Sequence, residues 1–489
     1  MSTVPALESL EAQVAVVGAG AAGLYTALCA ARHGAQVMLV SATALAESST
    51  YWAQGGLAAA LGPDDSPELH LADTIAAGRG AVRESAARAL CEEAPGAVAD
   101  LNRLGVVFDA DRHGRLALGL EGGHSVRRIV HAGGAATGQR LIRQLSALVA
   151  EDPRVAVLEG RRAISLLVSG DRCRGVLLDD DRLIASGATV LATGGAAALW
   201  SRTTNPPGAV GGGLLLAVDS GAELADLELV QFHPTAVATT NGADGFLVTE
   251  AVRGEGAHLL DAAGERFVDE LAPRDEVARA VQRRMALTGA SSVGLDMRDV
   301  DPALFPNVVE ALRRAGIDPE HELVPVAPAA HYMMGGIVTD LDARATLPGV
   351  YAVGECSCTG LHGANRLASN SLTECFVFGS RAARAASLEP GPDREALPDP
   401  PAAAAAPPSP SPQSRDALWR LAGLERDGEG LRSLAADPHP LVRLIARSAL
   451  ARTESRGAHQ RRDFPSPDPA FDGRHATTRG GEPELEAWS

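Results

Sequence analysis

The 489-residue sequence contains no lysine, so every basic residue other than histidine is an arginine. This absence excludes catalysis through a lysine Schiff base, and codon bias explains it better than function does. A positive net charge is absent as well. The formal net charge of −17 argues against non-specific binding to nucleic acid or to an acidic membrane surface. A local positive pocket for an anionic substrate remains compatible with it.

Cysteine is scarce and follows no known pattern. The residues concerned are Cys29, Cys91, Cys173, Cys356, Cys358 and Cys375. They show neither CxxC spacing nor the density of a disulfide framework. We therefore expect reduced thiols, no metal site, and no haem attached through a CxxCH motif.

Long uninterrupted apolar runs are also missing. The one candidate, residues 14–31, has no basic region before it and is broken by Gly18, Gly20 and Gly23. A strand, a glycine turn and a helix explain this segment better than a signal peptide or a membrane span does. With neither a membrane segment nor a targeting signal, we expect the protein in the cytoplasm.

The N-terminal segment predicts a nucleotide-binding βαβ unit. Residues 13–17 form an apolar strand, the loop Gly18-Ala19-Gly20-Ala21-Ala22-Gly23 follows, and an alanine-rich helix ends near Gly34. In this context the glycines allow a tight turn and close approach of a pyrophosphate to the helix N-terminus. The second strand, 36–40, ends at Ser41 rather than at an acidic residue that would grip a ribose hydroxyl. The loop alone therefore leaves FAD and NAD open, and a structural glycine turn is the alternative.

Further segments are predicted to border the cofactor. Residues 48–56 combine small hydroxyl side chains with paired glycines, which suits packing against a flat ring, although a surface loop is the alternative. Buried strands at 188–192 and 349–353 end in Thr193-Gly194 and Gly354-Glu355. A helix starting at Ser371 would point free N–H groups at an anionic group such as reduced flavin. The predicted cofactor-binding residues are Gly18, Ala19, Gly20, Ala21, Ala22, Gly23, Ser41, Ser48, Ser49, Thr50, Gln54, Gly55, Gly56, Thr193, Gly194, Glu355, Ser371 and Leu372.

The length predicts two or three domains. The βαβ opening predicts an α/β fold with a parallel, Rossmann-like sheet. After residue 225 the sequence changes to alternating apolar and polar patterns around a turn, which indicates an inserted α+β capping domain. The predicted organisation is a nucleotide-binding domain in two parts (1–225 and 334–388), the capping domain (226–333), a Pro/Ala-rich linker (389–413) and a short helical C-terminal domain with a polar, partly disordered tail (414–489).

A series of motifs then points to a family. In chain order they are the glycine loop at Gly18, Ala53-Gln54-Gly55-Gly56, Gln231-Phe232-His233-Pro234-Thr235, Thr249-Glu250, Arg253-Gly254-Glu255-Gly256, Pro273-Arg274-Asp275, His331-Tyr332, Gly335-Gly336 and Gly363-Ala364-Asn365-Arg366. The series resembles the succinate dehydrogenase/fumarate reductase flavoprotein superfamily over nearly all of residues 1–385. Residues 454–459 resemble its C-terminal domain. The resemblance implies that the two-part nucleotide-binding domain binds FAD.

Two features resemble the L-aspartate oxidases within that superfamily. Ser49 stands where the dehydrogenase subunits carry the histidine that attaches FAD covalently, so the resemblance implies non-covalent FAD. The segment 121–129 resembles a loop whose glutamate, here Glu121, contacts the substrate amino group. A carboxylate there suits an ammonium and repels succinate. A solvated loop charge is the alternative.

The resemblance also implies a site for a C4 dicarboxylate. The implied substrate-binding residues are Glu121, His233, Thr249, Glu250, Arg253, His331 and Arg366. The two histidines and Arg366 would grip the anion, although each histidine taken singly also fits a structural role. Thr249 would donate a hydroxyl, and Glu250 and Arg253 would support the others.

Arg274 is the predicted catalytic residue. The resemblance implies that its counterpart delivers a proton to fumarate. The sequence places it at a helix start with Asp275 as the N-cap. A structural ion pair between Arg274 and Asp275 is the alternative.

The implied reaction is oxidation of L-aspartate to iminoaspartate, with hydride transfer from Cα to flavin N5. Oxygen would then reoxidise the flavin and give hydrogen peroxide, and fumarate is a second acceptor. In the family, the imine passes to quinolinate synthase in NAD biosynthesis. The alternatives are a soluble fumarate reductase or succinate dehydrogenase-type flavoprotein, a flavin subunit with an iron–sulfur partner, and a non-catalytic scaffold.

The sequence departs from the family pattern at Gly212, which stands where the family has an Asp between two glycines. This departure would weaken FAD binding.

Overall fold

The computed structural model describes residues 9–45, 48–239, 244–400 and 405–488. Parts of the predicted domains that lie outside the described residues are 1–8, 46–47, 240–243, 401–404 and 489. The strands are β1 (Ser9–Val17), β2 (Val37–Ser41), β3 (Leu57–Ala58), β4 (Leu118–Gly119), β5 (Ile129–Val130), β6 (Val155–Glu159), β7 (Ala163–Ser169), β8 (Arg172–Leu178), β9 (Leu183–Leu191), β10 (Leu224–Ala225), β11 (Val230–Val237), β12 (His258–Leu260), β13 (Val293–Asp296), β14 (Val324–Met333), β15 (Gly336–Val338), β16 (Val350–Ala352), β17 (Ser357–Cys358), β18 (Arg474–Thr478) and β19 (Glu484–Ala487). The helices are α1 (Ala21–Arg32), α2 (Pro67–Ala77), α3 (Glu84–Arg103), α4 (Thr137–Glu151), α5 (Gly212–Asp219), α6 (Glu250–Gly254), α7 (Arg274–Thr288), α8 (Pro306–Arg314), α9 (Asn370–Ala386), α10 (Pro412–Leu421), α11 (Gly428–Leu434) and α12 (Pro440–Ala451).

The largest sheet has the strand order β6-β2-β1-β9-β8-β7, with β16 beside β9. Strands β6, β2, β1, β9 and β16 run parallel, and β8 and β7 extend the sheet in antiparallel fashion. Side chains along β1 alternate between two cores. Val14 and Val16 face the layer of α1, α3, α4 and α9, whereas Ala15 and Val17 face the layer that contains α5. The predicted Rossmann-like α/β architecture is confirmed.

A second sheet, β11-β14-β13-β12, is antiparallel and lies in the predicted insertion. Its apolar core is a cluster of its own, with contributions from α7 and α8 such as Val277 and Val308. In this sheet β11 and β14 are neighbours, and His233 lies opposite Ala329. The insertion therefore brings its own core, as expected of an inserted α+β capping domain.

The C-terminal helices share a core with the main sheet. Leucines of α10, α11 and α12 belong to the same cluster as α5: Leu418, Leu431, Leu441 and Leu214. The prediction of a partly disordered tail is wrong for most of that segment. Strand β18 pairs with β10 on one side and with β19 on the other. Its residues 475–478 are all buried, and the His475 ring hydrogen-bonds the Asp226 carboxylate at 2.5 Å.

Within the described ranges, no helix is long and apolar enough to cross a membrane. All six cysteines are free thiols, as predicted. Helix α10 begins at Pro412, inside the predicted linker.

Candidate active site

Close backbone contacts shape the glycine loop between β1 and α1. Gly18 has a φ of +112°, and a Cβ there would lie 2.2 Å from the Ala192 carbonyl oxygen. A Cβ on Gly23 would lie 1.9 Å from the Gly18 carbonyl oxygen. Only glycine fits these two positions. Gly20 differs, because the nearest atom to its Cβ would be the Thr50 hydroxyl at 3.4 Å, so this glycine keeps the space beside the helix end open.

Helix α1 receives no side-chain cap hydrogen bond from its own N-cap residue. Gly20 is its N-cap, and its first turn contains no acidic residue. Such a terminus attracts an anion through unpaired backbone N–H groups and the helix dipole. The Ala21 N–H donates to the Thr50 hydroxyl at 3.2 Å, which brings the predicted 48–56 segment against the loop. The pyrophosphate of FAD fits this arrangement.

Buried polar atoms without partners occur along the rest of the predicted cradle. They are Ser48 Oγ, Gln54 Oε1 and Thr193 Oγ1. Burying such atoms costs free energy unless a ligand satisfies them. FAD carries hydrogen-bonding groups on its adenine, ribose, pyrophosphate and ring system, so its chemistry fits these orphaned atoms. Ser49, in the adjacent 3-10 helix Ser49–Trp52, is exposed.

The remaining predicted cofactor residues lie at strand and helix ends. Ser41 is buried at the end of β2, and Gly194 has a φ of +73° with no atom within 4 Å of a Cβ position. The Met333 N–H donates to Glu355 Oε1 at 3.0 Å. Burial raises the pKa of the Glu355 carboxyl to about 7.

The start of α9 differs slightly from the prediction. The helix begins at Asn370 rather than Ser371, and its N-cap, Ser369, has a φ of +61°. Ser371 accepts a hydrogen bond from Arg366 Nη1 at 3.0 Å, and Leu372 is buried. Ser371 therefore contacts the predicted substrate residues as well as bordering the cradle.

Three buried arginines and two glutamates form the centre of the site. Glu250, at the start of α6, is 1% exposed and pairs with Arg274 Nε, while Arg253 Nη2 lies 3.6 Å from the same oxygen. Gln231 joins this pair to the third arginine: its Oε1 accepts from Arg274 Nη1 at 3.3 Å and from Arg366 Nη2 at 3.0 Å. Burial and then the Arg274 charge lower the pKa of Arg366 to about 10.

The neighbourhood of Arg274 corrects one detail of the sequence analysis. Helix α7 begins at Arg274 as predicted, but its N-cap is Pro273, so Asp275 as N-cap is wrong. Asp275 instead pairs with Arg79 at 3.2 Å and with Arg279 at 3.3 Å. The structural ion pair of Arg274 is thus with Glu250, across the site.

The two predicted histidines come from neighbouring strands, β11 and β14, and their ring centroids are 5.1 Å apart. The Thr235 N–H donates to His233 Nδ1 at 3.3 Å, so the neutral ring carries its proton on Nε2. His331 Nδ1 shares a hydrogen bond of 2.7 Å with the Thr204 hydroxyl. Burial and then the nearby arginine charges hold the pKa of both rings well below the usual value. Both histidines are therefore neutral hydrogen-bonding groups.

Glu121 reaches the same centre from the loop between β4 and β5. Gly122 makes this possible, because its N–H donates to Glu250 Oε1 at 2.8 Å and a Cβ there would lie 2.3 Å from that oxygen. Glu121 is 2% exposed. Its Oε2 accepts from the Ser369 hydroxyl at 2.7 Å, and its Oε1 has no hydrogen-bond partner. Burial raises the pKa of this carboxyl, but His131, Arg274 and Ser369 lower it by more, so it is ionised.

The charges sum to a pocket that suits a small anion. Three guanidinium groups face two carboxylates, and the histidines are neutral, so the centre carries one net positive charge. Thr249, the N-cap of α6, is buried beside it and makes no side-chain cap hydrogen bond. Such a centre can hold carboxylates on its arginines and an ammonium on its unpartnered carboxylate oxygen.

The structure brings all the predicted substrate residues together and adds others that the sequence analysis did not select. Gln231 bridges two arginines, Ser369 holds Glu121, and His131 lies 3.9 Å from Glu121 Oε1. Gln231 was visible in its motif beside His233. Ser369 carried no signal of its own, because its partner Glu121 is distant in sequence, and His131 lies near Glu121 in a segment of weak pattern.

The comparisons with known proteins agree with this geometry. Residues 13–372 match the family described as FAD binding domain, and residues 438–487 match fumarate reductase flavoprotein C-term. The chain is therefore an FAD-dependent oxidoreductase. Among solved structures, an E. coli quinol fumarate reductase flavoprotein is similar, with a TM-score of 0.88 and 28% identity over 98% of this chain and 97% of that one.

Curated relatives narrow the class further. An L-aspartate oxidase of Caulobacter vibrioides is 46% identical over 96% of this chain and 97% of its own length. One from Mesorhizobium japonicum is 45% identical over 93% and 92%. One from Streptomyces coelicolor is 41% identical over 96% and 92%. The chain belongs to the L-aspartate oxidase family of the succinate dehydrogenase/fumarate reductase flavoproteins.

Proposed function

We propose that this enzyme oxidises L-aspartate to iminoaspartate with non-covalently bound FAD, in the first step of NAD biosynthesis through quinolinate. One observation carries the choice of substrate: Glu121 places a buried, ionised carboxylate with an unpartnered oxygen beside three arginines. That combination matches a molecule with two carboxylates and one ammonium. FAD, when bound, takes up the hydride from substrate Cα and passes electrons to oxygen, giving hydrogen peroxide, or to fumarate.

The charge balance favours aspartate over succinate. Aspartate has one net negative charge and would neutralise the single net positive charge of the centre. Succinate has two negative charges and offers nothing to Glu121, whose carboxylate would stay buried and unpaired. Glu121 thus acts as a specificity residue by repulsion as well as by attraction.

The chain's own residues bind and orient the substrate. Arg366, fixed by Gln231 and Ser371, is set to hold one carboxylate, and His233 and His331 add neutral donors. Arg253 and Thr249 complete this set. Glu250 fixes the direction of Arg274, which would deliver a proton to carbon when fumarate is reduced.

The attachment of FAD follows from residue chemistry. Ser49 has a hydroxyl, which cannot make the histidyl bond of covalently flavinylated dehydrogenase subunits.

The product imine hydrolyses in water. We therefore include its transfer to quinolinate synthase in the proposal.

The test begins with an acid-denatured sample, from which FAD should leave with the soluble fraction. Anaerobic L-aspartate should then bleach the flavin of the native protein, and succinate should not. Glu121→Gln should lose most of its preference for aspartate over succinate. Glu84→Gln is the matched control, since Glu84 is 61% exposed and pairs only with Arg88 on α3.

Other outcomes would support the alternatives. FAD retained on the precipitated chain, or bleaching by succinate alone, would assign the protein to a succinate dehydrogenase or fumarate reductase type. Electron transfer only to an added iron–sulfur partner would indicate a dehydrogenase subunit. Flavin binding without bleaching by any dicarboxylate would indicate a scaffold.

A further inference from the structure

Glu121 has a second titratable neighbour that takes no part in the roles described so far. His131 follows β5 directly, and its Nε2 lies 3.9 Å from Glu121 Oε1. That oxygen is the one without a hydrogen-bond partner, because the Ser369 hydroxyl occupies Oε2. The distance is longer than a hydrogen bond, so the two groups are neighbours rather than a closed ion pair.

The two side chains differ in access to solvent. The Glu121 side chain is 1% exposed, whereas the His131 side chain is 15% exposed. Together they lead from the dry centre of the site towards water. The backbone holds this arrangement, since the Asp109 N–H donates to the His131 carbonyl at 2.8 Å and Gly119 packs against the imidazole ring.

Other charged groups surround the pair, and Arg253, Arg366 and His124 interact electrostatically with Glu121. The Asp109 carboxylate accepts from the N–H groups of Gly133 and Gly134 at 2.7 and 2.8 Å. Arg274 approaches Glu121 from α7, and Arg140 of α4 lies against Gly133. Glu121 is thus the carboxylate that faces the imidazole, and Arg274 is the cation that favours its ionised form.

Oxidation of an amino acid requires a place for a proton. The substrate ammonium must lose one N–H proton, whose electron pair stays on nitrogen and forms the C=N bond as the Cα hydrogen leaves as hydride to the flavin. Burial raises the pKa of the Glu121 carboxyl, but the Arg274 charge and the hydrogen bond donated by Ser369 favour its ionised form, so it holds a proton poorly. Imidazole is the side chain that accepts a proton near neutral pH.

We propose that His131, acting through Glu121, receives the proton that the substrate ammonium loses and releases it to solvent. The inference rests on the proposed function. In this scheme Glu121 contacts the ammonium and His131 is the positioning and relay residue behind it. The N–H bond breaks, the proton passes by Glu121 Oε1 to His131 Nε2, and the pair returns to its starting state when the ring loses that proton to water.

The first test is the pH dependence of flavin reduction by aspartate in an anaerobic stopped-flow instrument. His131→Gln should slow reduction near neutral pH by on the order of 100-fold, the usual contribution of a proton-transfer group. The loss should shrink as pH rises, because a substrate amino group that has already lost its proton needs no proton acceptor. Aspartate affinity should change little. His113→Gln, at an exposed histidine in a surface turn, is the control and should follow the wild-type profile.

The second test needs no turnover. The holoenzyme is prepared with isotope-labelled histidine and its NMR spectrum is recorded. Of the signals from the 13 histidines, the one that disappears in His131→Gln belongs to His131. Glu121→Gln should change the chemical shifts of that ring, because the Glu121 carboxylate lies 3.9 Å from its Nε2.

The outcomes separate the two proposals. A His131→Gln enzyme with the wild-type pH profile, or a His131 ring signal unchanged by Glu121→Gln, would overturn the relay. If His131→Gln is slow at every pH, with weak aspartate binding and no recovery at high pH, the residue is structural and the relay is also wrong. If wild-type flavin is not reduced by aspartate at any pH, it is the proposed function that fails.

Discussion

The carboxylate of Glu250 is the point at which one charge can be removed from the site without changing its shape. It pairs with Arg274, lies 3.6 Å from Arg253 Nη2, and accepts the Gly122 N–H at 2.8 Å. Glu250→Gln keeps an oxygen for Gly122 and removes the negative charge. Three buried guanidinium groups would then face Glu121 alone.

The size of the effect follows from burial. Removing one partner of a buried ion pair costs about 3–5 kcal/mol, because the other charge stays buried and unpaired. For a chain of 489 residues, an unfolding entropy of about 2.1 cal/mol/K per residue corresponds to about 1 kcal/mol per degree. Glu250→Gln should therefore lower the apparent Tm by about 3–5 °C. Arg274 would lose the charged partner that orients its guanidinium group, so kcat/KM for aspartate should fall by about 100-fold.

The assay combines thermal unfolding of the holoenzyme with anaerobic flavin reduction. Glu276→Gln is the matched control, since this glutamate is 46% exposed and pairs with Arg79 on the surface of the same region. Its loss should cost at most about 1 kcal/mol. If Glu250→Gln behaves like Glu276→Gln in both measurements, the argument that this carboxylate holds the arginine cluster together is refuted.

Three further predictions concern the cradle and its surroundings. Gly23→Ala should reduce FAD retention on gel filtration, because the new Cβ would lie 1.9 Å from the Gly18 carbonyl oxygen. Gly96→Ala is the control and should retain FAD, because no atom lies within 4 Å of its Cβ position. Equal retention in the two variants would contradict the packing argument. Glu355→Gln should gain thermal stability over wild type in flavin-free protein as pH rises from about 4.5 to about 7. In that range the wild-type carboxyl ionises in the unfolded chain but keeps its proton in the fold, where burial raises its pKa, so rising pH favours the unfolded chain. A constant difference between the two proteins across that range would contradict this reasoning. Gly212→Asp should raise the Tm, because the first turn of α5 has no acidic residue and the space beside Gly212 is open. An acidic residue at a helix N-terminus adds about 0.3–1 kcal/mol of stability. A lower Tm would show that the position is constrained.

The glycine loop between β1 and α1 could be predicted from the sequence because its determinants are local. Gly18, Gly20 and Gly23 lie within one turn between a strand and a helix, and the contacts that require glycine are made largely by this unit with the end of β9. The apolar run at residues 13–17 predicted a strand, and the structure has β1 there. The residues of the predicted substrate site could also be identified individually from their motifs. The sequence did not show which of them are in contact.

The pairing of charges was decided by tertiary structure. Arg274 has an acidic neighbour in sequence, Asp275, yet its partner is Glu250, 24 residues away. Successive residues of a helix point in different directions, so Asp275 turns to Arg79 and Arg279 while Arg274 turns inward. Only the packing of α6 against the start of α7 selects the partner.

The same reasoning explains the tail and the loop at Glu121. The polar segment that contains β18 has too few apolar residues to predict a strand, and it becomes ordered because β10 offers a free edge and Asp226 a buried hydrogen bond. Glu121 and His131 are ten residues apart in a loop of weak pattern, and the hairpin of β4 and β5 brings them together. The sequence by itself determined the nucleotide fold and the residue types of the site, because both depend on local spacing. The tertiary structure decided which groups are buried together, because only packing places distant charges within reach and removes the water between them.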